Sequence, residues 1–444
     1  MSDLPVHRIA PETFAALAEG GGTEAVRKLV AAQQSKHALL IRHVAEMASR
    51  VGHEQAHQVQ QAYDALASIQ EHNSDAVGAV LNYPPVAAWA RSVIRAMRDR
   101  VPGDCQGQGA VPGQLAAIAA AAAVRAGITW SGEIPVFGGA ATLPSLGRLV
   151  VSSHESGWLL ITTRDGAAEV CGSGWTSRIP ADEPTWLALR SLTARSGDLA
   201  VSVVVEDLDP YRSPGAANTG SRLSAAEVVR WQEAFAGAWD LLVRHHSQVA
   251  AQFAVMIRVF TPLTPPEHGQ VSSTSRQTFG SIALSAPPNA TSLAVTIAHE
   301  IRHAKLSALL DVVPMTLPDN GIRHYAPWRD DPRPASGLLQ GAYAFLGVAE
   351  FWREQWRLEE GEDAFRASAE FARWKSAVEL VVQTLSSSGQ LTRQGQLFTD
   401  GMARTLDAMA ADQVPESAQA LADCAAAKHR SQWISRNGAL AEPV

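Results

Sequence analysis

Residues 278–310 read TFGSIALSAPPNATSLAVTIAHEIRHAKLSALL. TFGSIALS is strand-like, with apolar and small side chains and no acidic residue. PPNATS, residues 287–292, combines two prolines with Asn, Thr and Ser, which marks a turn. A helix is expected at about 291–310, entered through LAVTIA and left through LSALL. On that helix His299-Glu300-Ile301-Arg302-His303 forms an H-E-x-x-H. Positions i and i+4 lie on one face of a helix one turn apart, so two imidazoles there can bind one metal ion. A half-buried helix beside an edge strand suits such a site.

Outward from this stretch the chain changes character twice. TEAVRKLVAAQQSKHALLIRHVAEMASRV places apolar residues at three- and four-residue spacing (Val26, Leu29, Val30, Leu39, Leu40, Val44, Met47), which is helical. A break is expected at Tyr83–Pro85, a loop at 101–113, where glycines and prolines cluster, and an Ala-rich helix near 114–126. From about 127, EIPVFGG, GRLVVSSH, GWLLITTRD and LAVSVVVED are short β-type runs separated by turn residues. Residues 223–251 return to helix, FAVMIRVF is strand-like, and the region after a Pro-rich loop at 313–335 is helical nearly to the end. The fold class expected is α+β, helix-dominated: a helical region at 1–126, a β-rich region at 127–222, and a mostly helical catalytic region at 223–444.

Composition excludes several classes. The chain has 444 residues, 37 basic against 44 acidic side chains, 46% hydrophobic and 18% charged residues. It has enough to bury, which excludes wholesale disorder, and no basic surplus, which disfavours nucleic-acid binding. Cys105, Cys171 and Cys424 form no C-x-x-C pair, which suits a reducing compartment. The first residues show no signal-peptide pattern, and no apolar run is long enough to span a bilayer. A cytoplasmic protein is expected.

A second H-E-x-x-H occurs at His53-Glu54-Gln55-Ala56-His57. Glutamines surround it and no strand-like run precedes it. It reads as a solvated helix face, and the copy at 299 as the metal site. The third ligand must come from elsewhere. Leu338–Trp352 carries one charge, Glu350, on a helix otherwise apolar. A lone buried carboxylate is costly unless it is paired or metal-bound, which makes Glu350 the leading candidate. His324 is an alternative. So is Asp311, which is within reach only if the helix breaks. The loop His324-Tyr325-Ala326-Pro327-Trp328-Arg329-Asp330-Asp331-Pro332-Arg333-Pro334 offers Arg329 and Arg333 for an anionic co-substrate, or for an internal Arg–Asp network. Ser273, Ser275 and Arg276 precede the edge strand and are further candidates for lining the site. His245-His246 reads as surface. Trp352, Trp356, Phe365, Phe371 and Trp374 read as core packing at helical spacing.

Two chemistries compete for such a site. In a zinc peptidase Glu300 is the general base that activates metal-bound water. In a non-haem iron oxygenase two His and one carboxylate hold the metal, and Glu300 faces the substrate. Arg302 and Lys305 break the run of uncharged residues usual around peptidase ligands.

HEIRHAKLSALLDVVP (299–314) and HYAPWRDDPRPASGLLQGAYAFLGVAEFWRE (324–354) resemble the HExxH-type peptide-modification family, whose members occur alone or fused to radical-SAM enzymes. The resemblance covers about residues 270–357 and continues weakly to HRSQWISRN. It implies an α-ketoglutarate-dependent non-haem iron oxygenase that hydroxylates a β-carbon of a ribosomally synthesised precursor peptide. It further implies Fe(II) on His299, His303 and Glu350, with α-ketoglutarate and O₂ as co-substrates and the Arg329–Arg333 loop gripping the far carboxylate of α-ketoglutarate. A radical-SAM enzyme acting on the same peptide is an implied partner. The alternative is a zinc endopeptidase that trims a leader peptide. A third class is a peptide-binding scaffold with a degenerate metal site, its leader docking on the N-terminal helices or the sheet.

Overall fold

The computed structural model describes residues 7–99, 111–151, 157–180, 185–215, 222–267 and 269–438. Most of the glycine-rich stretch at 101–113 lies outside them. The helices are α1 (Pro11–Ala18), α2 (Thr23–Arg50), α3 (Ala56–His72), α4 (Ser74–Leu81), α5 (Pro84–Asp99), α6 (Gln114–Ala126), α7 (Ala225–His245), α8 (Ser247–Met256), α9 (Ala290–Leu309), α10 (Ala335–Leu358), α11 (Gly361–Ser387), α12 (Arg393–Asp407) and α13 (Glu416–Asn437). The strands are β1 (Trp130–Val136), β2 (Ala140–Leu143), β3 (Gly147–Val150), β4 (Gly157–Arg164), β5 (Ala167–Gly172), β6 (Trp175–Ile179), β7 (Trp186–Ala188), β8 (Arg190–Ser196), β9 (Leu199–Val205), β10 (Val259–Pro262), β11 (Ser272–Ser273) and β12 (Ser281–Leu284). The fold is α+β and helix-dominated. Among the described residues no helix is long and apolar enough to cross a membrane.

Three sheets form. β1-β4-β5-β6 and β2-β3-β7 are antiparallel, and β11-β12-β10-β9-β8 is mixed. In the mixed sheet β10 runs parallel to both β9 and β12, which requires crossovers on its faces. Helices α7 and α8 supply the first, between β9 and β10. The short strand β11 pairs antiparallel with β12 at the sheet edge, Ser272 opposite Leu284.

The buried apolar residues make two cores, and α2 contributes to both. Its first half (Ala25, Val26, Leu29) packs with the mixed sheet and helices α7 to α12. Its second half (Ile41, Val44, Ala48) packs with α3 to α6 and strands β1 to β7. Of the apolar residues read in the sequence, Val26, Leu29 and Val44 lie on the buried stripe of this long helix, whereas Leu39 is exposed. The break at Tyr83–Pro85 separates α4 from α5, which begins at Pro84, where a missing backbone N–H costs nothing.

Two expectations are corrected. FAVMIRVF is not a strand throughout: α8 runs to Met256 and only Val259 onward joins the sheet. A short apolar run carries no period that separates buried strand from buried helix. His246 is not on the surface. It stacks on Phe351 with ring centroids 4.3 Å apart, and its Nε2 lies 2.9 Å from Gln355 Nε2.

Helix α9 is the element that positions the HExxH residues. Asn289 caps it, its side-chain oxygen accepting from Ser292 N at 2.8 Å. It packs against α2, α7, α8, α10 and β11, so it is enclosed on nearly every side. That enclosure explains Arg302 and Lys305. Lys305, 1% exposed, donates to Gly20 O and to Gln252 Oε1, each at 2.8 Å. Burial pushes its ammonium well below the ordinary lysine range. Gly20 sits at φ +81°, and a side chain there would meet the Arg302 guanidinium.

Candidate metal centre

His299 and His303 lie one turn apart on α9, and their imidazoles converge. Their Nε2 atoms are 3.1 Å apart and their rings meet edge to face, centroids 4.7 Å apart. Metal–nitrogen bonds are about 2.0–2.1 Å, so two nitrogens on one ion stand roughly 3 Å apart. Gln340 of α10 orients the second ring: His303 Nδ1–H donates to Gln340 Oε1 at 3.1 Å, and the Gln340 amide reaches Ser307 Oγ at 3.4 Å. That bond leaves the lone pair of His303 on Nε2, facing His299. Burial, with the neighbouring His303, holds His299 well below the ordinary imidazole range, so it is neutral. Two imidazoles aimed at one point, one helical turn apart, are a donor set that a transition metal takes.

Glu300 points elsewhere. It is 1% exposed, and Ser272 Oγ–H on strand β11 donates to its Oε1 at 2.7 Å. Its Oε2 is buried without a hydrogen-bond partner. Burial raises its carboxyl above the ordinary range, opposed by the neighbouring His303 and by the hydrogen bond from Ser272. The β11 residue that reaches Glu300 is thus Ser272. Of the three predicted from the sequence, Arg276 instead pairs with Asp311, and no contact from Ser273 or Ser275 to Glu300 is seen.

The expected third ligand is not brought to the pair. Glu350 forms an ion pair with Arg302 on a different flank of α9. It lies ten residues beyond Gln340 along α10, a rise of about 15 Å. The long, buried Arg302 side chain supplies the partner that its sequence context seemed to lack. Asp311 is also spent: it lies past the end of α9 and binds Lys36, Gln33 and Arg276. Among the described residues no three His, Cys, Asp or Glu side chains cluster as a metal set. His324 has a buried Nε2 with no partner. Its backbone pairs with Arg333 (2.8 and 2.9 Å) against the first turn of α10.

Arg329 and Arg333 both close on Asp331, at 2.8 and 3.0 Å, and Asp330 binds Arg436. The internal Arg–Asp network is therefore what the loop forms. The loop does cover the site. Trp328 stacks on Phe345 (centroids 4.7 Å), and Phe345 meets the His299 ring (4.8 Å). Trp374 of α11 stacks on the other side of Phe345 at 4.3 Å. Sequence reading assigned Trp374 to core packing and missed Gln340. The available signal for Gln340 was a lone amide within the apolar run LLQGAYAF.

The second motif is not a site. Helix α2 ends at Arg50 and α3 begins at Ala56, so His53 lies in the turn between them, its Nδ1 accepting from Gln55 N at 3.1 Å. His53 and His57 do not share a helix face, contrary to the solvated helix expected.

No protein-family model matches this chain, and no curated protein does.

Proposed function

We propose that the chain is a non-haem Fe(II), α-ketoglutarate-dependent oxygenase that hydroxylates a β-carbon in a ribosomally synthesised precursor peptide. The observation that carries the metal part is the convergence of two imidazoles whose Nε2 atoms lie 3.1 Å apart, one of them oriented by Gln340. The reaction part rests on the resemblance of residues 270–357 to the HExxH-type peptide-modification family. The bound metal, with α-ketoglutarate and O₂, would supply the oxidation that converts C–H to C–OH, releasing succinate and CO₂.

His299 and His303 would hold the metal through Nε2. With Glu350 engaged by Arg302, and no third His, Cys, Asp or Glu clustered with the pair among the described residues, the two imidazoles would be the metal's side-chain donors and co-substrate or water oxygens its remaining ligands. Trp328 and Phe345 would keep water from the reacting centre. Ser272 would hold Glu300 in place. Arg329 and Arg333, both shared with Asp331, could receive the far carboxylate of α-ketoglutarate by exchanging that partner.

The test is anaerobic Fe(II) reconstitution followed by air and α-ketoglutarate, with and without precursor peptide, read as succinate. Iron-dependent succinate that is lost in His299→Ala and His303→Ala, and kept in His53→Ala, supports the reading. No succinate with the cognate peptide, together with zinc-dependent peptide cleavage lost in Glu300→Gln, overturns it in favour of the endopeptidase.

A further inference from the structure

We propose that the pocket between α11 and α13, roofed by Tyr325 and Pro327, binds an acidic side chain of the peptide substrate, beside the candidate metal centre. The proposal rests on the peptide-oxygenase reading and names the substrate chemistry for it.

The cavity measures about 250 Å³. That is below the roughly 300–1,000 Å³ of sites for drug-sized ligands, so it suits one or two side chains. Trp374, Leu380 and the Ala425–Ala427 stretch make its walls largely apolar. Tyr325 O–H and His429 Nδ1 share a hydrogen bond of 2.8 Å at one edge.

The charges decide which side chain fits. Arg373 lies over the Trp374 ring at 4.5 Å, and Arg430 over the Tyr325 ring at 5.3 Å. A guanidinium stacked this way leaves its N–H edges free. Other arginines on the surrounding elements are matched with acids: Arg353 and Arg357 with Asp412, Arg366 with Asp363, and Arg436 with Asp330. Among the described residues neither Arg373 nor Arg430 has a carboxylate partner. The near carboxylate Glu370 is held by Trp374 Nε1 at 2.7 Å. Two unmatched guanidiniums over an apolar slot fit the aliphatic stem and carboxylate of Glu or Asp.

The place of the pocket fits a substrate anchor. Trp374 is one ring contact from Phe345 and two from His299. An extended peptide advances about 3.3–3.6 Å per residue, so an acid seated here sets a residue roughly three or four positions away over the His pair.

The experiment uses the full chain and two fluorescein-labelled nonapeptides, one carrying three glutamates among leucines and the other glutamines at the same positions, with binding read by anisotropy at low salt. Binding about tenfold tighter for the acidic peptide is expected, falling as salt screens the pair. The preference should vanish in Arg373→Glu/Arg430→Glu and in the milder Arg373→Gln/Arg430→Gln, and survive in His53→Ala. Equal binding of the two peptides, or a preference that persists in both double variants, overturns the proposal. A preference present alongside a failed succinate assay leaves the pocket standing and removes the oxygenase reading.

Discussion

Arg302 and Glu350 join α9 to α10 by an ion pair that lies on a different flank of α9 from the His299–His303 pair. Arg302 and His303 are adjacent in the sequence, and about 100° of helix rotation separates their directions. The charged residue inside the HExxH motif therefore serves packing, and the histidines on either side of it are left to face the loop.

Removal of Glu350 tests that division. The Arg302 side chain is 7% exposed and that of Glu350 35% exposed. Glu350→Gln leaves a buried guanidinium without its counter-charge, and the expected loss of stability is about 1–3 kcal/mol, discounted for the exposure of Glu350. Co(II) affinity, measured by chelator competition, should stay within about twofold of the native value, a loss too small for a direct ligand. A collapse of Co(II) binding in a folded Glu350→Gln protein would return Glu350 to the metal set.

Gln340 should behave in the opposite way. It fixes the tautomer of His303 and touches no charge. Gln340→Leu should lower Co(II) affinity about 10–100-fold, the usual cost of losing a partner behind a metal-bound imidazole. Its folding transition should move little, because leucine suits the apolar helix around it. Unaltered Co(II) affinity would show that the imidazole is oriented by something else.

Gly341 sets the seat of the covering loop. A Cβ there would lie 2.4 Å from Trp328 Nε1. Gly341→Ala should displace Trp328 from Phe345 and change the near-UV circular dichroism. The expected net loss of stability is about 1–2 kcal/mol, overpacking being partly offset by the better helix propensity of alanine. An unchanged aromatic spectrum would mean that the loop has room to give.

Stability should fall on mild acidification. Burial pushes His37 down to about 4 and His246 down to about 4. Between pH 6.5 and about pH 4 the unfolded chain binds protons that the folded chain does not. The stabilising contribution of the neutral rings is thus complete above pH 6.5 and is lost as pH drops towards 4, by at most about 3 kcal/mol for each imidazole. Urea denaturation of the native protein and of His37→Gln across this window measures it. The variant should show a shallower slope, and parallel slopes would exclude His37 as a source.

The helical periods of α2 and the turn before α9 were legible from residue types, because burial of one helix face and proline-rich turns are written locally. The same holds for the strand–turn–helix frame of residues 278–310 and for the helical spacing that brings His299 and His303 together. The partner of Glu350 was not legible. An apolar helix with one acid calls for a compensating charge, and only packing decides whether a metal or the arginine of a neighbouring helix supplies it. Likewise Arg329 and Arg333 were read as free for a ligand or tied to aspartate, and chain geometry selects Asp331. The burial of His246, the helical half of FAVMIRVF and the convergence of Trp328, Phe345 and Trp374 join residues far apart in sequence. Local periodicity is a property of one segment, whereas the fate of a buried charge or ring depends on which segments meet. By itself, then, the sequence determined the elements and the pair of imidazoles, and the tertiary structure decided which polar groups remain free to act.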